Sequence, residues 1–447
     1  MKKSSSHRPK KRNFKRRHPQ ERNSHKGNYQ KRSSHVSNAK NNAGSGTPIQ
    51  GCFYCSRAKQ CGACPEITTP YPEQLQAKQD YLTDLFKDLY ASDTHIYALA
   101  GMDNPTHYRN KVISPFACAK GATKTSNPEI LTGMYARGTH RLINTDNCLV
   151  ENETANKIVQ AIRALMIKYH MEPYNEDTGE GFMRHVVIRV GHTSNEVLVT
   201  LVTNKEEFKG AKNFCRELVA RVPAITTIVQ NVNTRQTNVI LGDKLERTLY
   251  GPGFILDTLC GVSFRISSHS FYQVNASQTE VLYHRALEMA HLSAGDCIID
   301  AYCGTGTIGL AAAALYQAHL FGVDSVAAAI RDAQENARHN GILSAEFICA
   351  DAGDYLQELA HHQQTVDVVF MDPPRAGSSK DFLEALIALK PKRIVYISCN
   401  PKTQKRDAEI LCDAGYTITE AQGVDMFPHT DHIEHIITLE QKGAEAR

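Results

Sequence analysis

Long apolar runs are missing from this 447-residue chain. No stretch approaches the ~18 consecutive apolar residues that a membrane-spanning helix requires, so a helical membrane protein is excluded. Apolar residues are also missing behind the basic N-terminus, which therefore does not read as a signal peptide. Acidic residues are nearly missing from positions 1–48, where Glu21 stands alone against 14 Lys and Arg. The rest of the chain carries 37 basic and 46 acidic residues, so a segment near +13 precedes a body near −9. That asymmetry points to a polyanionic partner met through the tail. Positions 1–48 also lack the apolar content needed to offset ordering, and they are expected to be disordered. No internal repeat is visible.

What is present begins with cysteine. There are 13, an odd number, and they do not form the dense framework of a small secreted scaffold. Cytoplasmic localisation, with thiols used for metal or catalysis, is the expectation. Four of them fall within 13 residues as Cys52, Cys55, Cys61 and Cys64, a clustering that reads as thiolate ligation of zinc or an iron–sulfur cluster. A helical pattern follows from Tyr71 to Tyr90 through Leu75, Lys78, Leu82, Leu85 and Leu89.

From His95 to about Ser267, short β-rich runs alternate with turns, for example Val186–Val190, Val197–Val202 and Thr226–Gln230. One helix, Glu153–Met171, interrupts them. An α+β domain with an antiparallel sheet is expected, and its Tyr108-Arg109-Asn110-Lys111 stretch suits a phosphate and base surface. After Ser267 the rhythm becomes strand–helix alternation. Strands are expected at Cys297–Asp300, Leu320–Asp324, Ala345–Ile348, Val366–Met371 and Ile394–Ile397, with a helix at Ala327–Asn340 among those between them. That pattern is a doubly wound, Rossmann-like α/β sheet. The expected divisions are 1–48 (tail), 49–94 (cysteine segment and helix), 95–267 (central α+β domain) and 268–447 (doubly wound α/β domain).

Open α/β sheets bind ligands at the carboxyl ends of their strands. The first strand ends in Asp300-Ala301-Tyr302-Cys303-Gly304-Thr305-Gly306-Thr307, a glycine turn that lets a ligand approach backbone. Asp324, ending the second strand, is placed to hold a ribose. Gly304, Gly306 and Gly309 make a Gly-x-Gly-x-x-Gly that dinucleotide binders share, so the pattern alone is weak, and it is the acid opening the turn, Asp300, that favours S-adenosylmethionine (SAM) over a dinucleotide. The fourth strand ends in Asp372-Pro373-Pro374-Arg375. The fifth ends in Ser398-Cys399-Asn400-Pro401, where Cys399 is either a small core residue or a nucleophile.

Taken with Ser268–Asn275 and Met426-Phe427-Pro428-His429-Thr430, these motifs resemble the RNA uracil-C5 methyltransferases, which make 5-methyluridine in transfer and ribosomal RNA. The resemblance runs from about Cys55 to the C-terminus. It implies Cys399 as the nucleophile and Glu434 as the base that removes the C5 proton. It implies SAM as methyl donor, in a pocket formed by Gln273, Tyr302, Gly304, Gly306, Thr307, Asp324 and Asp372. The family's ribosomal branch also carries a four-iron, four-sulfur cluster (4Fe-4S). Its Cys-x5-Cys-x2-Cys spacing fits Cys55, Cys61 and Cys64, with Cys148 in the fourth place. That branch makes 23S ribosomal RNA the expected partner, with no membrane and no obligate protein partner implied. A transfer RNA uracil-54 enzyme and a non-catalytic iron–sulfur RNA-binding factor are the alternatives. Cys52 is an extra candidate ligand. Asp324 stands where a glutamate is usual, and the basic tail occupies the place of a small β-barrel domain found in many members.

Overall fold

The computed structural model describes residues 53–119 and 129–441. The basic tail and Cys52 lie outside the described residues, and so does the expectation of disorder for the tail. Two sheets dominate.

The strand β1 (Tyr90–Ile96) comes first in the chain and joins the edge of the second sheet. The first sheet has seven strands: β2 (Lys111–Cys118), β3 (Ile130–Tyr135), β4 (Leu142–Asn144), β5 (Met183–Val190), β6 (Val197–Thr203), β7 (Ile225–Val232) and β8 (Leu245–Tyr250), in the order β4-β3-β2-β5-β6-β7-β8. One face is covered by the helices Glu153–Lys168 and Ala211–Arg221, whose Ile158, Ile162, Phe214 and Leu218 pack on Val112, Val186 and Ile228. The sheet departs from the antiparallel expectation at one place. β6 and β7 run parallel, because the helix Ala211–Arg221 returns the chain to the starting end of the sheet.

A hairpin of β9 (Ile255–Leu259) and β10 (Val262–Ile266) follows, and its Leu259, Val262 and Phe264 bury against Leu282, Ile308 and Leu310. The hairpin thus belongs to the core of the next layer, although the expected division stands just after it, between 267 and 268. The second sheet contains β11 (Cys297–Ala301), β12 (His319–Asp324), β13 (Ala345–Cys349), β14 (Val368–Met371), β15 (Arg393–Ser398), β16 (Tyr416–Val424) and β17 (Glu434–Gln441). Its order is β1-β16-β17-β15-β14-β11-β12-β13. The strands β11 to β15 are parallel, and the central β11, β14 and β15 are buried on both faces by mostly apolar residues such as Ile394–Ile397, whereas the edge strand β13 is partly exposed. β17 is antiparallel to β15 and to β16. This is the doubly wound architecture expected for the C-terminal part. Among the described residues no helix is long and apolar enough to cross a membrane.

The early helix runs from Tyr71 to Phe86 and packs on the second sheet. It is shorter than expected, and its buried stripe is Tyr71, Gln74, Lys78, Leu82 and Phe86. Two polar side chains in that stripe mark a polar contact, described below.

Candidate active site

β15 ends at Ser398, and Pro401 opens the helix Pro401–Asp413, where a missing N–H costs nothing. Between them the chain must turn, and Ser398 secures the turn by accepting the Asn400 amide at 3.1 Å. Asn400 Nδ2 donates to the Arg375 carbonyl at 2.9 Å, which ties the Asp372–Gly377 loop to the same turn. Cys399, held between these anchors, is half-buried.

Sheet register sets what faces it. Ser398 pairs with His435 in the antiparallel β15–β17 ladder, so one step further places Cys399 opposite Glu434. Met371 pairs with Tyr396 in the parallel β14–β15 ladder, so Asp372 emerges beside the same edge. The two expected catalytic residues, 35 positions apart in sequence, are therefore cross-strand neighbours.

Electrostatics follow from that grouping. Burial, then the nearby Glu434 and Asp372, push the Cys399 thiol up, whereas the charge of the Arg375 guanidinium opposes them. Glu434 is only 5% exposed, and burial followed by the Asp372 charge raises its carboxyl to about 8. Burial likewise raises Asp372 to about 7, although its side chain keeps some exposure toward the cleft. A carboxylate raised this far is a stronger base once ionised. Arg375 is the residue sequence reasoning undervalued here, read there only as part of a motif. Its guanidinium supplies the positive charge that a thiolate needs.

Apart from Gln273, the expected cofactor residues lie at the ends of β11, β12 and β14. Gly304 and Gly306 adopt positive φ, 55° and 81°, and no protein atom lies within 4 Å of where a Cβ on Gly304 would sit. The turn is thus open for a ligand to lie on backbone. Tyr302 also has a positive φ of 68°, and its ring packs 5.2 Å from Phe382. Asp324 accepts the Gly304 amide at 3.0 Å and the Val326 amide at 2.8 Å. A carboxylate has about four lone-pair sites, so these two bonds leave capacity for ribose hydroxyls. The Thr307 hydroxyl is engaged with that of Tyr283 at 3.0 Å, and Gln273 is half-buried in the loop before the helix Ala276–Met289. Asp300 does not face the cleft. It is buried, accepts the Gly309 amide at 3.0 Å and is raised to about 8, so it fixes the turn from behind.

The loop from Asp425 to Ile433 delivers Glu434, and other elements grip nearly all of it. Lys78 Nζ lies 2.7 Å from Asp425 Oδ1 and 3.0 Å from the His432 carbonyl. Tyr71 donates its hydroxyl to Asp425 at 2.8 Å. Gln74 Oε1 accepts the His429 amide at 3.0 Å, Tyr108 donates to the Pro428 carbonyl at 3.1 Å, and Asn275 Nδ2 donates to the Met426 carbonyl at 2.9 Å. A 540 Å³ cavity opens beside Cys399, lined by Lys78, Tyr81, Lys402 and residues 430–433.

Some distance along the chain, Cys55, Cys61, Cys64 and Cys148 line one small enclosed cavity of about 40 Å³ with Arg109 and Glu151. The structure thus brings the four expected ligands together. Burial pushes Cys64 up to about 11 and Cys148 up to about 12, so thiolates there need a cation to balance them. Among the described residues, no three ligating side chains close to the shell of a single metal ion. The segment also braces the catalytic loop. The Glu66 amide donates to the His429 carbonyl at 3.1 Å, the Phe53 ring sits 5.1 Å from His429, and Arg109 lies 5.8 Å over Phe427.

The family model for tRNA (uracil-5-)-methyltransferase matches residues 70–442. The chain belongs to this family. An RNA methyltransferase of uncharacterised specificity from Oceanobacillus iheyensis is 39% identical over 384 residues, covering 86% of this chain and 82% of that one. Another, from Listeria monocytogenes serotype 4b, is 39% identical over 385 residues, covering 86% and 83%. The solved tRNA (uracil-54, C5)-methyltransferase of Pyrococcus abyssi, in complex with S-adenosyl-L-homocysteine, is 27% identical with a TM-score of 0.68, covering 85% of this chain and 86% of that one. This uracil-C5 methyltransferase family member therefore uses SAM as methyl donor and RNA as substrate.

Proposed function

We propose that this enzyme methylates C5 of a uridine in 23S ribosomal RNA, with Cys399 as nucleophile and Glu434 as base. The observation that supports it most is the cross-strand placement of Cys399 and Glu434, with Asp372 and Arg375 beside them. Uracil C5 is too poor a nucleophile to take a methyl group directly. Addition of the Cys399 thiolate to C6 makes C5 enolate-like, and Arg375 favours the thiolate that adds. Bound in the pocket, SAM supplies the methyl group in electrophilic form. Glu434 then removes the C5 proton, and the electron pair expels the Cys399 sulfur from C6. Gln273, Tyr302, Gly304, Gly306, Thr307, Asp324 and Asp372 would hold the donor. The base has to leave its stack to reach Cys399, so the target is flipped out. Residues 95–267 would present the RNA, and the enzyme would work in the cytoplasm.

The four-cysteine cavity supports the ribosomal reading and an iron–sulfur cluster held by Cys55, Cys61, Cys64 and Cys148. Methyl transfer moves no electrons, so the cluster's role would be to hold residues 53–67 against the catalytic loop. Likeness to the Pyrococcus abyssi enzyme favours a transfer RNA target instead. Mass spectrometry of both RNAs from a deletion strain decides between them. Loss of one 5-methyluridine from 23S RNA with transfer RNA unchanged is expected, and the reverse pattern would move the target to transfer RNA.

A further inference from the structure

The stretch Tyr108–Lys111 runs along both loops of the active site. Tyr108 donates to the Pro428 carbonyl at 3.1 Å, and the Asn110 amide donates to the Val274 carbonyl at 2.8 Å. Lys111 then opens β2, and its register partner on β5 is Arg189. Directly paired residues share a face of the sheet, and like charges in that position repel.

Nothing among the described residues relieves the repulsion. Arg189 is 4% exposed, and its Nη2 donates to the carbonyls of Ser268 (3.3 Å) and Ser270. Its Nε has no partner among the described residues. Arg189 is thus committed to holding the Ser268–Asn275 motif, and Lys111 is the cation left over. Lys111 is half-buried, and no carboxylate offsets its charge among the described residues. Burial, and then Arg189, lower its ammonium to about 8. An apolar side chain would avoid this cost, and a bound oxyanion would offset it.

We propose that Lys111, backed by Arg189, binds a backbone phosphate of the RNA beside the target uridine. The proposal rests on the reading of residues 95–267 as the RNA-presenting part, and it is independent of which RNA is methylated. The carboxylate of the cofactor has the same oxyanion chemistry, and the test separates the two.

The full chain with Lys111→Met is compared with the unmodified protein and with Lys111→Arg. Binding of a short oligouridylate is measured over a range of salt, and binding of S-adenosyl-L-homocysteine is measured by calorimetry without RNA. Losing one phosphate contact should weaken oligouridylate binding about 5- to 10-fold and reduce the salt slope by about 0.7. Lys111→Arg should restore most of both. Affinity for S-adenosyl-L-homocysteine should stay within about twofold, and the melting temperature of Lys111→Met should not fall, since a repulsion is removed. An unchanged salt slope overturns the proposal. So does a loss of S-adenosyl-L-homocysteine affinity at constant slope, which would assign Lys111 to the carboxylate of the cofactor. Because no target sequence enters the measurement, failure of the 23S assignment leaves this result unaffected.

Discussion

Single residues set the pH behaviour. Glu434, the proposed base, can act only when ionised, and its carboxyl stands at about 8 in the free enzyme, so roughly a tenth is ionised at pH 7. Resolution of the covalent intermediate should therefore speed up about tenfold per pH unit below about 8 and level off above it. Rapid-quench sampling of the intermediate across pH 6–9 checks this, and a flat profile would remove Glu434 from the step. Cys399, the proposed nucleophile, stood out in sequence because a strand buried on both faces leaves an apolar run, and Cys399 follows one. Arg375 was not, since a guanidinium in a loop shows no sequence sign of the thiol it reaches. The role of Asp300 was hidden for a similar reason. In sequence it is only the acid that opens the turn, and the bond from the Gly309 amide shows its structural use.

Elements bring distant parts of the sequence together. The helix Tyr71–Phe86 reads as an ordinary amphipathic helix, yet its buried stripe carries Gln74 and Lys78 because their partners, His429 and Asp425, lie about 350 residues away. No local pattern encodes that pairing. Lys78→Met strands Asp425, which is fully buried, and should cost about 3–5 kcal/mol of stability. The double change Lys78→Met with Asp425→Asn should recover part of it in urea unfolding, and equal loss in both would mean the pair is uncoupled. The cysteine segment is the second such element. Clustering alone pointed to Cys52, Cys55, Cys61 and Cys64, whereas the choice of Cys55, Cys61 and Cys64 and the addition of Cys148 came from family resemblance, and these last four line one shared cavity. Anaerobically purified protein should be brown with about four irons per chain, and Cys64→Ser should lose the colour together with stability. Colourless protein with one tightly held zinc would replace the cluster with a single ion.

The whole molecule pairs a strongly basic tail with an acidic body. Deleting residues 1–48 should weaken RNA binding and flatten its salt dependence, while single-turnover methylation at saturating RNA stays nearly constant. Equal salt slopes with and without the tail would exclude it from the RNA contact. The doubly wound sheet was readable because parallel strands alternate with helices at regular spacing. The parallel β6–β7 step and the burial of the β9–β10 hairpin in the catalytic core were hidden, since both depend on packing between distant layers.

The most direct test of the chemistry asks where the reaction stops in two variants. Glu434→Gln keeps the size of the side chain and removes the base, so addition and methyl transfer proceed but elimination does not. Incubated with RNA and SAM, it should accumulate methylated RNA joined to Cys399, seen as a shifted band that survives denaturation and mapped by mass spectrometry. Cys399→Ala should give neither the band nor methylation. Normal turnover by Glu434→Gln, or trapped RNA on a cysteine other than Cys399, would contradict the assignment of both residues.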